Sequence, residues 1–156
     1  MTDEVLDTLA DINNLADELC ALGDLTGARH YQERALEAFR RLLGPEHPGT
    51  LTTMHNLAVT FCFLGDFSAA RELQRQVLDS RCRLLGNEDS ATTTAAWNLF
   101  GSCIRLSDQR AAHTVVATHL AWLLRRDPAS LTEPQRQVAA LLTKLGDSAG
   151  LGRWTG

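Results

Sequence analysis

The chain has 156 residues, 44% of them hydrophobic, and a formal net charge of −4; that is enough for one domain with a real core and too apolar for a disordered segment. The mild acidity gives no general reason to bind nucleic acid, and no apolar run approaches the length that crosses a bilayer. The opening Met-Thr-Asp-Glu-Val-Leu-Asp lacks the basic and apolar regions of a signal peptide, so a cytoplasmic protein is expected.

Residues 3–22 read as a helix with Val5, Leu9, Ile12, Leu15, Leu19 and Leu22 as its apolar positions. Gly23-Asp24 breaks it, because glycine accepts the left-handed backbone of a helix end. A second helix runs from about Leu25 to Leu43 and stops at Gly44-Pro45-Glu46-His47-Pro48, since proline cannot continue the hydrogen-bond ladder. A second pair is predicted at Thr50–Leu64 and Phe67–Leu85, closed by Gly86-Asn87-Glu88-Asp89. The third pair starts near Ser90 or Ala91, reaches Leu106, turns at Ser107-Asp108, and continues from about Arg110 to Arg126 before Asp127-Pro128. A last helix opens at Thr132-Glu133-Pro134-Gln135, a capping-box spacing with proline in the permissive first turn. Gly146 is expected to end that helix, and residues 147–156 to form a flexible tail in which Trp154 is the one candidate for docking.

The central helix shows two faces. Met54, Leu57, Phe61 and Leu64 recur at spacings of three and four and form a core stripe. A second stripe, Thr52, His55, Asn56, Val59 and Phe63, mixes polar and apolar residues. It reads either as a partly solvated side or as a surface that touches something polar and apolar together.

Shifted by 42 residues, the chain matches itself. Asn14, Asn56 and Asn98 coincide, as do Leu15, Leu57 and Leu99, then Leu22, Leu64 and Leu106, then Asp24, Asp66 and Asp108, then Ala28, Ala70 and Ala112. A fixed period of this size marks a solenoid, in which each unit buries its face on the next. The third unit departs from the pattern: Ser107 stands where the others have glycine.

Asn-Leu-Ala, then Leu-Gly-Asp, then Ala-Arg, then Leu-Leu-Gly-x-Glu-His-Pro-x-Thr-Leu resembles the tetratricopeptide repeat (TPR), and the spacing of 42 resembles its kinesin-light-chain variety. The resemblance covers about residues 8–127. It implies an all-α, right-handed α-solenoid of about three helix-turn-helix units, near 3–48, 49–90 and 91–128. A capping helix at 131–146 completes a repeat domain spanning 1–146. HEAT and armadillo repeats share the period but do not require the Asn-Leu-Ala…Gly…Ala spacing.

The resemblance also implies a binding mode. In similar proteins, asparagines at the positions of Asn14, Asn56 and Asn98 bind the backbone of an extended peptide. A carboxamide offers a donor and an acceptor together, which matches a peptide group. The competing reading is that these asparagines tie down neighbouring backbone. Asp17, His55, Val59, Phe63, Trp97 and Arg105 complete the candidate peptide-binding set. Phe63 and Trp97 would give apolar contact, unless Trp97 belongs to the core. Arg105 would pair with a ligand carboxylate, unless it is simply solvated. A carboxylate clamp of the chaperone-binding kind needs several basic residues, and only Arg105 stands here.

The expected function is therefore a non-enzymatic adaptor or scaffold whose partner is a protein or peptide. The alternative is a sensor of a short signalling peptide, or the repeat end of a larger regulator. The five histidines and four cysteines show no ligand spacing, so no metal or other cofactor is expected. The cysteines read as buried thiols. No nucleophile elbow or phosphate loop occurs, and His55 with Asp17 is the sole pair worth naming as catalytic. Val5, Leu9 and Ile12 form an apolar N-terminal edge, from which a homodimer through the first helices is expected. Leu141, Leu142 and Leu145 are expected to cover the third unit.

Overall fold

The computed structural model describes the backbone of residues 3–148 and the side chains of residues 7–146. All regular structure among them is helical: α1 Asp3–Ala21, α2 Leu25–Leu43, α3 Pro48–Phe63, α4 Phe67–Leu85, α5 Ser90–Arg105, α6 Gln109–Val115 and α7 Glu133–Ser148. Single turns of other helix types lie between α6 and α7. The chain divides into two units, Met1–Val77 and Leu78–Gly156, and each is described by itself.

In the first unit α1 folds back on α2, and α2 on α3. The tight turns follow from the chemistry of Gly-Asp. Gly23 and Gly65 take φ of 85° and 80°, where a Cβ would be strained. The aspartate that follows each caps the next helix: the Asp24 carboxylate accepts from Gly27 N and that of Asp66 from Ala69 N. Leu9, Ala35 and Phe39 form a core cluster, with Ile12, Ala38 and Leu43 against it. Ala16, Ala28, Ala58 and Ala70 are fully buried, as expected where helices come close. The Arg29 guanidinium lies over the Phe61 ring, 5.2 Å from its centroid.

Three expectations for this unit are corrected. Pro48 does not end a connector; it is the first residue of α3, two before the expected Thr50, and His47 Nδ1 caps it by accepting from Gly49 N. The first turn of a helix has no use for the missing proline N–H. Leu64 does not join Met54, Leu57 and Phe61 in the core but stands exposed, because the helix has already ended at Phe63. Leu9 is not a free apolar edge, since it packs on Phe39 and Ala35. The Val5 side chain lies outside the described residues.

In the second unit α5 packs on α6 and α7. Asp89 and Asp108 cap α5 and α6 through Ala91 N and Ala111 N. The expected single helix from Arg110 to Arg126 is broken. α6 ends at Val115, a π turn runs Val116–Leu120, and a 3-10 turn follows from Ala121 to Arg125. Outside donors compensate the freed carbonyls: Asn87 Nδ2 donates to Thr118 O at 3.3 Å and Trp122 Nε1 to His119 O at 2.9 Å.

One arm of the expected capping box before α7 is present, while the Thr132 hydroxyl pairs with Ser90 Oγ at 3.0 Å. The Thr132 backbone N–H donates to Gln135 Oε1 at 2.9 Å, and Gln135 Nε2 donates to Glu88 O. Val138 and Leu142 are buried, whereas Leu141 and Leu145 are exposed, so only one of the three leucines expected to cover the third unit is fully packed. α7 also runs past Gly146 to Ser148. Trp154 lies outside the described residues.

Candidate functional site

Three polar contacts join α1 to α3 at successive turns. Asn13 Nδ2 donates to Thr53 Oγ1 at 2.7 Å, Asn56 Nδ2 reaches both carboxylate oxygens of Asp17 at 3.2 Å, and Cys20 Sγ lies 3.3 Å from Thr60 Oγ1. The spacings 13-17-20 and 53-56-60 are one helix face each, so the two first helices run side by side. Thr53 and Thr60 are wholly buried and also bond backward to Gly49 O and Asn56 O. Partial burial pushes the Asp17 carboxyl above its ordinary value, and the hydrogen bond from Asn56 works against that shift.

Candidate residues of the first unit thus come together on neighbouring helix faces. Asp17 meets Asn56 directly. Asn14 is exposed three residues before Asp17, and Val59 and Phe63 follow Asn56 on α3. Phe63 is 68% exposed, unusual for a phenylalanine. His55 is half-buried on α3, one residue before Asn56. Sequence reasoning missed Thr53 and Thr60 as partners. Their signal was present: hydroxyl side chains seven apart on α3, flanking Asn56.

In the second unit Trp97 stacks on the buried Phe100, ring centroids 5.1 Å apart and planes at 26°. It is half-buried, as is Asn98. Arg105 is exposed at the last turn of α5. A Cβ on Gly101, between them, would meet nothing within 4 Å, so the helix surface is open there.

One cluster outside these faces combines a thiol, an imidazole and a carboxamide. Cys82 Sγ lies 3.6 Å from His119 Nδ1, which lies 2.8 Å from Asn87 Oδ1. It does not form a nucleophile-base pair. Asn87 spends its amide on Thr118 O, so its oxygen takes the His119 Nδ1 proton, and that nitrogen has no lone pair for the thiol. Burial, with Asp79 adding, pushes the Cys82 thiol up; burial, with Asp79 opposing, pushes His119 down. Both shifts favour the neutral pair. The cysteines are all thiols, but only Cys103 is fully buried; Cys20, Cys62 and Cys82 are half-buried, against the expectation for all four. Among the described residues no three His, Cys, Asp or Glu side chains converge on a metal-sized site, and no helix is long and apolar enough to cross a membrane.

Paired helices with Gly-Asp turns, small residues at the helix crossings and a repeated polar face define an α-helical repeat module. Residues 8–83 match the family model for the tetratricopeptide repeat, and the chain has the helical fold of a tetratricopeptide-repeat solenoid. The chain is similar in fold to the crystal structure of BtubC (BKLC) from P. vanneervenii, at 21% identity and a TM-score of 0.69, over 92% of this chain and 65% of that one. It is also similar to a P. anserina protein assigned as a kinesin light chain with nearly identical TPR-like repeats. That likeness has 19% identity and a TM-score of 0.73, over 94% of this chain and 70% of the other. A point-substituted form of the same P. anserina protein gives a TM-score of 0.75 over 94% and 69%. This chain therefore spans about two thirds of each solved relative. Among curated protein sequences none matches it. Tetratricopeptide repeats are in general protein–protein interaction modules, and such scaffolds are typically non-enzymatic.

Proposed function

We propose that this chain is a non-enzymatic adaptor or scaffold that holds an extended peptide segment of a partner protein against the exposed faces of its first helices. The repeat units near 3–48, 49–90 and 91–128 are its modules. The observation that carries the reading is Phe63, a large aromatic 68% exposed on the α3 face that also bears Val59 and Asn56. An aromatic held in water on a helix is unspent contact area. Asn14 on α1 is a further contact of the first unit; Trp97, Asn98 and Arg105 on α5 are the candidate contacts of the second unit, taken by itself. Asn56 supplies less than a free carboxamide, because its amide is shared with Asp17. Asp17 acts as an acceptor, and His55 borders the face.

Phe63→Ser tests the reading. The exposed side chain supports little of the fold, so the melting temperature should stay within a few degrees of wild type while partner capture from the native host extract falls. Equal capture by both proteins, at equal stability, would overturn it.

A further inference from the structure

The charge of the first unit is sorted by helix. α1 carries Asp3, Glu4, Asp7, Asp11, Asp17 and Glu18 and no basic residue, and α3 carries no Asp, Glu, Lys or Arg. The arginines of residues 1–77 sit elsewhere, as Arg29, Arg34, Arg40 and Arg41 on α2 and Arg71 and Arg75 on α4. The side-by-side faces of α1 and α3 are therefore single-signed, with an exposed aromatic at one end. Resting on the peptide-groove reading above, we infer that this face takes a cationic segment: a lysine or arginine near Asp17 and an apolar residue on Phe63. Asp17 sits level with Asn56, and Asn56 and Phe63 are two helical turns apart, about 10 Å. Three extended residues span about that distance, so the cation and the apolar side chain are separated by about three positions.

An anionic partner is disfavoured by the same arrangement. It would meet acidic side chains on α1 and find no lysine or arginine on either helix. Asp17 is itself held partly out of water, and an arriving ammonium or guanidinium offers it charge-assisted hydrogen bonds that the Asn56 amide does not.

The test is amide-detected NMR titration of the full chain with two synthetic peptides, acetyl-Ser-Lys-Ser-Ser-Leu-Ser-amide and its Glu-for-Lys counterpart. The lysine peptide should shift Asp17, Asn56 and Phe63, and the glutamate peptide should not. Asp17→Asn keeps an acceptor for Asn56 while removing the charge, so it should weaken the lysine peptide about two- to fivefold and flatten its salt dependence. Stronger binding of the glutamate peptide on the same residues overturns the charge inference and leaves the groove reading standing. Shifts confined to α2 and α4 sink both. An absence of shifts with either peptide overturns the inference, and Phe63→Ser capture then decides the groove reading separately.

Discussion

One Asn56 amide nitrogen lies 3.2 Å from each oxygen of the Asp17 carboxylate, so the asparagine that the repeat register marks for a ligand is partly engaged within the fold. It ties α1 to α3 midway between the Asn13–Thr53 and Cys20–Thr60 contacts. Removing it with Asn56→Ala leaves an acceptor that water can reach. The expected loss is about 0.5–1.5 kcal/mol, read as a shift in the urea midpoint without change in slope. A loss above about 3 kcal/mol would show that the contact is buried more deeply than its geometry indicates.

The same pair sets a pH response. The folded Asp17 carboxyl titrates above its ordinary value, mainly through burial. As pH rises from about 3.9, the unfolded chain gives up this proton first, so stability falls until the folded pKa is passed and stays lowered above it. Asp17→Asn removes that cost and still accepts from Asn56. Denaturation at pH 7 should find the variant at least as stable as wild type, with the advantage fading towards pH 3. A variant less stable at pH 7 would contradict the sign.

His119 runs in the opposite sense. Burial, against the pull of Asp79, depresses its pKa, so the unfolded state binds the proton first as pH drops below about 6.5. The His119 contribution is present in full above that value and is lost down to the folded pKa. His119→Gln should reduce the slope of stability against pH just below about 6.5. An unchanged slope would show that the imidazole is solvated.

Leu142 and Leu141 are neighbours on α7 with opposite fates. Leu142 is fully buried and Leu141 is exposed. Leu142→Ala should cost about 2–5 kcal/mol and Leu141→Ala less than about 0.5. Equal losses in thermal melts would refute the packing of α7 through the Val138–Leu142 side.

Ser107 occupies the turn position that glycine fills at Gly23 and Gly65, and it has φ of 57°. A side chain in that region costs about 1–2 kcal/mol, which the greater freedom of glycine in the unfolded chain offsets only in part. Ser107→Gly should raise stability by about 0.5–1 kcal/mol, seen as a higher melting temperature. A lower one would mean that the serine hydroxyl holds the turn.

Much of this protein was legible in residue order alone. The period of 42, the Gly-Asp turns, the Thr132–Gln135 box and the alanines at helix crossings are local chemistry: a positive φ, an unsatisfied amide, a short side chain where another helix approaches. Each acts within a few residues, so the limits of α1, α2 and α4 could be read to within about one residue. Tertiary structure decided what depends on neighbours distant in sequence. Leu15, Leu57 and Leu99 are the same residue at the same repeat position, yet Leu57 is 3% and Leu99 6% exposed while Leu15 is 41% exposed; burial belongs to what packs against a side chain, not to its identity. The π turn after Val115 depends on Asn87 and Trp122 reaching its carbonyls, and nothing in the periodicity of residues 110–126 records them. Asn56 shows the same division. Its helix face follows from spacing, but its engagement by Asp17, 39 positions earlier, exists only because folding sets α1 beside α3.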